Sequence, residues 1–145
     1  MLHVYLYLFL LIAVGGMRSL SPYFSTEVFA QKIRGQLAPE DVVAVYASPD
    51  RFSDLPFHLD RRVMVVGSDR GTIGEEARDP EHAQEAAEWF PDTGTFVGRF
   101  NAREKKIYCL IDKEDLPELH RAGMKGESVV LEHSNRMLIA NDVSS

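Results

Sequence analysis

A chain of 145 residues holds enough material for one domain, and its 45% apolar and 26% charged content is that of a folding chain rather than a low-complexity one. Its 16 Lys and Arg stand against 22 Asp and Glu, a net charge of −6 that excludes nucleic acid as a partner; the adjacent basic pairs, Arg61–Arg62 and Lys105–Lys106, each sit beside an apolar run. Cys109 is the sole cysteine, which excludes an intramolecular disulfide, and within Ile107-Tyr108-Cys109-Leu110-Ile111 it reads as a small hydrophobe inside a strand.

Residues 1–17 carry no Lys, Arg, Asp or Glu, and Leu6 to Val14 is apolar throughout apart from the amphipathic Tyr7. As a helix this segment spans about 26 Å, slightly short of a hydrocarbon core of about 30 Å. Three readings fit it: a signal peptide, a stand-alone anchor, or the end of a longer transmembrane helix. Ala13-Val14-Gly15 suits a cleavage site, but the positive n-region of a signal peptide is missing. The lipid bilayer is therefore the first expected partner, with residues 18–145 forming the soluble domain.

Ser21-Pro22-Tyr23-Phe24 is a connector, and Ser25 is placed to cap a helix that begins at Thr26-Glu27 and runs to about Leu37. Val28, Phe29, Ile33 and Leu37 recur at helical spacing as its inner face. Val42 to Ala47 is an unbroken apolar run of strand length, as expected of a strand covered on both faces. After the turn Ser48-Pro49-Asp50, residues Phe52 to Leu59 suit a short helix or irregular segment ending at Asp60, and Arg62 to Gly67 is a second buried strand. Gly67 to Arg78 has no periodicity and reads as a loop. In an open α/β sheet the ligand crevice lies outside the carboxyl ends of the strands, so Ala47–Asp54 and Gly67–Arg78 are the expected place for a small-molecule site.

Asp79-Pro80 starts a helix with Ala83, Ala86, Ala87 and Phe90 on one face, closed by Pro91. Trp89 and Phe90 are expected to be largely buried at its end. Thr95 to Phe100 supplies one or two further turns with Phe96 and Phe100 four apart. A strand follows at Lys106 to Ile111, then a short helix at Asp115-Leu116-Pro117-Glu118, which has capping-box spacing and turns Leu116 and Leu119 inward. A hairpin of Ser128–Glu132 and Met137–Ala140 around Ser134-Asn135-Arg136 ends the domain. Strands alternating with helices give the expected fold: α/β, a mostly parallel three-layer sheet with a C-terminal antiparallel hairpin, preceded by one N-terminal apolar helix.

No complete catalytic constellation emerges. His3, His58, His82, His120 and His133 have no metal-ligand spacing, so neither a metal site nor a cofactor is expected. His58 near Asp60 reads as an exposed histidine at a strand entrance. Gly71-Thr72-Ile73-Gly74 matches neither a phosphate loop nor a dinucleotide fingerprint. Glu75-Glu76, and Glu85 with Glu88, read as solvated faces, and Ser21, Ser25 and Ser53 lack a nucleophile-elbow context. No catalytic residue is assigned, and the ligand-binding residues are left open.

Taken in order, Ser21-Pro-Tyr-Phe-Ser-Thr26, Leu55-Pro-Phe-His-Leu-Asp-Arg-Arg-Val63, Ala87-Glu-Trp-Phe90 and Asp115-Leu-Pro-Glu-Leu119 resemble the C-terminal soluble domain of the aminoarabinose-transferase and protein-mannosyltransferase family, over about residues 18–142. The resemblance implies an outer domain of multispanning enzymes that move a sugar from a polyprenyl-phosphate carrier to an acceptor outside the cytoplasmic membrane. It also implies that the acidic catalytic residues and the carrier-lipid pocket lie in the membrane-embedded part, which becomes the second expected partner. Members often have Gly where Asp60 stands, and Gly-Glu-Leu where Gly71-Thr72-Ile73 stands, so no role is carried over for that loop. The expectation is thus a glycosyltransferase accessory domain on the outer face, inactive alone; the alternative is a secreted or anchored α/β binding module unrelated to transfer. The sugar, the acceptor and the oligomeric state are not legible.

Overall fold

A computed structural model describes residues 26–46, 52–67 and 83–142. The expected apolar helix at 1–17, the cap Ser25, the helix start Asp79-Pro80 and, of the two expected crevice loops, residues 47–51 and 68–78 lie outside these residues.

In chain order the described elements are α1 (Glu27–Arg34), β1 (Val42–Tyr46), α2 (Leu55–Leu59), β2 (Met64–Val66), α3 (Ala83–Trp89), α4 (Thr93–Ala102), β3 (Ile107–Asp112), α5 (Leu116–Arg121), β4 (Glu127–His133) and β5 (Arg136–Asn141). The strands form one sheet in the order β2-β1-β3-β5-β4. β1 runs parallel to both β2 and β3, with Ala44 opposite Met64 and Cys109. β5 is antiparallel to β3 and to β4. The sheet is therefore mixed, with its four pairings divided equally, rather than mostly parallel: the hairpin supplies two of the five strands.

Period-two alternation divides the core. Ala44, Tyr46, Met64, Val66, Ile107, Cys109, Ile111, Met137 and Ile139 face Phe96, Val97 and Phe100 of α4 and Leu119 of α5. The intervening residues Val43, Val45, Tyr108, Leu110, Leu138 and Ala140 face Phe29, Ala30 and Ile33 of α1 and Leu55 of α2. β3 is buried along its whole length, which is why its sequence is apolar without alternation. The Cys109 thiol lies within it, pushed far up from its ordinary pKa by burial and so inert.

Several elements depart from their expected form. The inner stripe of α1 is Phe29, Ala30 and Ile33, whereas Val28 is exposed. Phe29 and Ile33 fix the stripe, and Val28 falls about 100° from Phe29 on the side away from Ala30 and Ile33. α1 stops at Arg34, and Leu37 packs half-buried from the following turn. The segment around Phe96 is a full helix of ten residues, because Asp92 caps it by accepting from the Thr95 N–H at 2.7 Å. Asp115 stands at the N-cap of α5 without a side-chain cap bond, so the expected capping box is incomplete. Each hairpin strand is longer than expected by one residue at each end, with His133 opposite Arg136 and a bulge between Val129 and Leu131.

Asp60 occupies the left-handed region at the end of α2, with φ 51°. Only a small set of residues enters that region cheaply, glycine first and Asp or Asn next.

Candidate functional site

Because β1, β2 and β3 run parallel, the domain has two poles with different chemistry. At the carboxyl pole, Tyr46 ends β1 and its hydroxyl lies 3.4 Å from that of Thr93, at the start of α4. Asp112 ends β3 and pairs with Arg136 of β5 at 3.7 Å, both side chains nearly buried. The Arg136 guanidinium also lies over the Phe52 ring at 5.0 Å, which places the segment after β1 at this pole.

On the α1 side of the same pole, Asp54 accepts two bonds from Thr26, from its N–H and from its hydroxyl, each 2.9 Å. His58 Nε2 is 3.3 Å from the same carboxylate. Burial raises the Asp54 pKa, but the two Thr26 bonds, with help from His58, outweigh it and hold the carboxyl below its ordinary value. Hydroxyl, carboxylate and imidazole therefore meet, in an order that is wrong for nucleophilic catalysis. The Thr26 hydroxyl donates to the carboxylate rather than to the imidazole, and Thr26 is fully buried. The cluster is a clamp that fixes the start of α1 to the start of α2. His58 also finds its carboxylate one turn back, at Asp54, rather than at the Asp60 suggested by sequence.

At the amino pole a cleft of about 430 Å³ opens between the first residues of the parallel strands, Val42, Met64 and Ile107, and helices α3 and α4. That volume lies within the range of small-molecule sites. Arg99 shapes one wall by donating to the Glu88 and Ala87 carbonyls at 2.9 and 3.1 Å, satisfying the last turn of α3 and tying it to α4. Gly98 and Ala102, four apart on α4, leave the space between the helices unfilled, and a Cβ added at Gly98 would meet nothing within 4 Å. Glu88, Glu104, Arg99 and Lys105 rim the cleft with two charges of each sign.

Trp89 lines the cleft and is half-buried, not largely buried as expected; Phe90 is likewise half-buried. Arg62 accounts for the indole's position: its guanidinium sits 4.5 Å from the ring centre and pairs with Glu85 at 2.5 Å. Glu85 and Glu88 are both exposed, as expected of a solvated face, with Glu85 paired to Arg62 and Glu88 on the cleft rim. Nothing in the sequence flagged Gly98, Arg99 or Ala102, because small residues and a carbonyl-binding arginine acquire meaning only once two helices are placed side by side.

Among the described residues no group of three or more His, Cys, Asp or Glu is arranged to hold a metal ion, and no buried side-chain nitrogen or oxygen lacks a partner. No helix among them is long and apolar enough to cross a membrane.

No family model matches the chain, and no curated protein matches it. Two solved structures do. The crystal structure of ArnT from Cupriavidus metallidurans in the apo state aligns with a TM-score of 0.67 at 20% identity, over 88% of this chain and 22% of that one. The same protein bound to undecaprenyl phosphate aligns with a TM-score of 0.61 at 19% identity, over 89% of this chain and again 22% of ArnT. At such identity the likeness is one of fold. This chain spans about a fifth of the length of the protein it matches.

Proposed function

We propose that this chain is an extracytoplasmic accessory domain of a membrane glycosyltransferase that uses lipid-linked sugar donors, with residues 1–17 in the bilayer and residues 18–145 outside it. The observation that carries the reading is the proportion of the match: nearly nine-tenths of this chain against 22% of ArnT, the proportion of one module within a larger enzyme. Its order of four sequence segments points the same way. On this reading the domain binds, positions or stabilises, and the chemistry of transfer belongs to a membrane-embedded partner. Catalysis needs preorganised charge aimed at a reacting atom. The charged groups at the carboxyl pole are instead engaged with one another.

Two measurements test the reading. Incubated with a polyprenyl-phosphate sugar donor, the chain alone is expected to transfer nothing, and measurable transfer would assign it a catalytic centre. Protease added to intact spheroplasts is expected to remove a C-terminal tag, and a tag that survives until lysis would place the domain in the cytoplasm.

The cleft at the amino pole favours a second reading, a membrane-anchored binding module with no transferase partner. Trp89 is the only tryptophan and lines that cleft, so its fluorescence reports occupancy. Saturable ligand binding in a cell with no partner enzyme would favour the module.

A further inference from the structure

The described residues expose three large hydrophobic side chains, Phe57, Val28 and Val129. Singly, such residues need no explanation. Two of these three, however, flank one feature. Val28 lies two residues beyond Thr26, and Phe57 lies three residues beyond Asp54, one helical turn from the carboxylate that holds Thr26. Phe57 is 86% exposed, on a five-residue helix whose other side is buried through Leu55.

The clamp is also where the chain arrives from its apolar end. Residues 18–25 are all that separate the uncharged run from Thr26, and eight residues reach at most about 29 Å even when fully extended. Thr26 is fixed, being fully buried and doubly bonded to Asp54. α1 leads through residues 35–41 into the first residue of β1, so its beginning lies toward the carboxyl ends of the strands, away from the cleft.

We propose that the surface around the Thr26–Asp54 clamp docks on the lipid surface, with Phe57 and Val28 entering the interfacial layer. This rests on the reading that residues 1–17 lie in the bilayer. The short tether then holds this face near the membrane, where an exposed phenylalanine gains by leaving water, as on interfacial amphipathic helices. The exposed charges beside Val28 on α1 are of both signs, Glu27 and Lys32, so docking depends little on anionic lipid. The cleft at the opposite pole is left facing outward.

The test uses the full chain reconstituted into vesicles, with an environment-sensitive fluorophore on a cysteine placed by Phe57→Cys, by Val28→Cys or, as the remote control, by Val129→Cys on the edge strand β4. Cys109 is fully buried and does not compete for the label. Circular dichroism confirms that each labelled chain is folded. Positions 57 and 28 are expected to show blue-shifted emission and severalfold stronger quenching by spin-labelled lipid than position 129, alike in phosphatidylcholine and phosphatidylglycerol vesicles. If the chain floats with the vesicles but position 57 is as wet as position 129, docking is refuted while membrane anchoring stands. If the chain does not float, the anchoring reading fails and docking fails with it. Desolvation of position 57 only on adding a multispanning partner overturns the lipid assignment in favour of a protein contact.

Discussion

The two poles of the sheet are built in opposite ways. At the carboxyl pole, polar and charged groups are matched within the protein: Asp54 to Thr26 and His58, Asp112 to Arg136, the Tyr46 hydroxyl beside Thr93. At the amino pole, small side chains on α4 leave a cleft rimmed by charges of both signs. The general rule for open α/β sheets places ligands at carboxyl ends. Among the described residues the open volume is instead at the amino end. The difference teaches that matched polar groups close one pole while small side chains on α4 leave the other open; under the proposed docking, the closed pole is the one that faces the lipid.

The largest effect is expected where the amino pole is held together. Asn141 is fully buried, accepting from the Ile107 N–H at 2.8 Å and donating to the Phe100 and Lys105 carbonyls at 3.1 and 3.0 Å. It thereby ties the C-terminal turn of α4 and the start of β3 to the last strand. Asn141→Ala leaves these backbone groups without a partner and is expected to cost about 3 kcal/mol in denaturant melts, near the upper end for unsatisfied buried polar groups. A loss under about 1 kcal/mol would show that water replaces the amide freely.

Asp54→Ala, at the other pole, is expected to cost about 1–2 kcal/mol, the scale of a lost helix cap. It also carries a pH signature. The folded pKa of Asp54 is below its ordinary value, and that of Asp92 is too, through bonds from the Thr95 N–H and hydroxyl. A depressed carboxylate contributes stability that is present above the unfolded pKa and lost as pH falls through the folded one. Wild-type stability should therefore decline below about pH 4, the unfolded carboxylate range, and Asp54→Ala should flatten that decline. An unchanged acid slope would mean that the clamp is electrostatically neutral.

Two smaller effects sharpen the contrast. Gly98→Leu places a side chain into open space and replaces a helical glycine, so stability should rise by up to about 1 kcal/mol while any ligand-induced change in Trp89 fluorescence disappears. Asp60→Gly relieves a left-handed residue and should stabilise by roughly 0.5–1 kcal/mol, whereas a β-branched residue there should destabilise. Thermal denaturation of the paired variants checks both signs.

Elements governed by local periodicity were legible. β3 could be read from its apolar run, the hairpin from its two strands about Ser134-Asn135, and α1 from Phe29 and Ile33. The helix around Phe96 was underestimated because glycines at positions 94 and 98 depress helix propensity, and the cap at Asp92 that compensates for them sits just after Pro91. Neither candidate surface was legible. The cleft depends on the lateral approach of α3 to α4, which Arg99 sets through backbone carbonyls that carry no sequence signal. The clamp joins residues 28 apart whose types, Thr and Asp, are ordinary at helix starts.

Under the proposed function, this domain assists transfer carried out elsewhere. An ArnT-type enzyme shortened by the stretch that this chain matches should lose much of its sugar transfer, and supplying this chain in the same membrane should restore it. Restored transfer, with none from the chain alone, is the predicted result. A folded, correctly inserted chain that restores nothing would contradict the account.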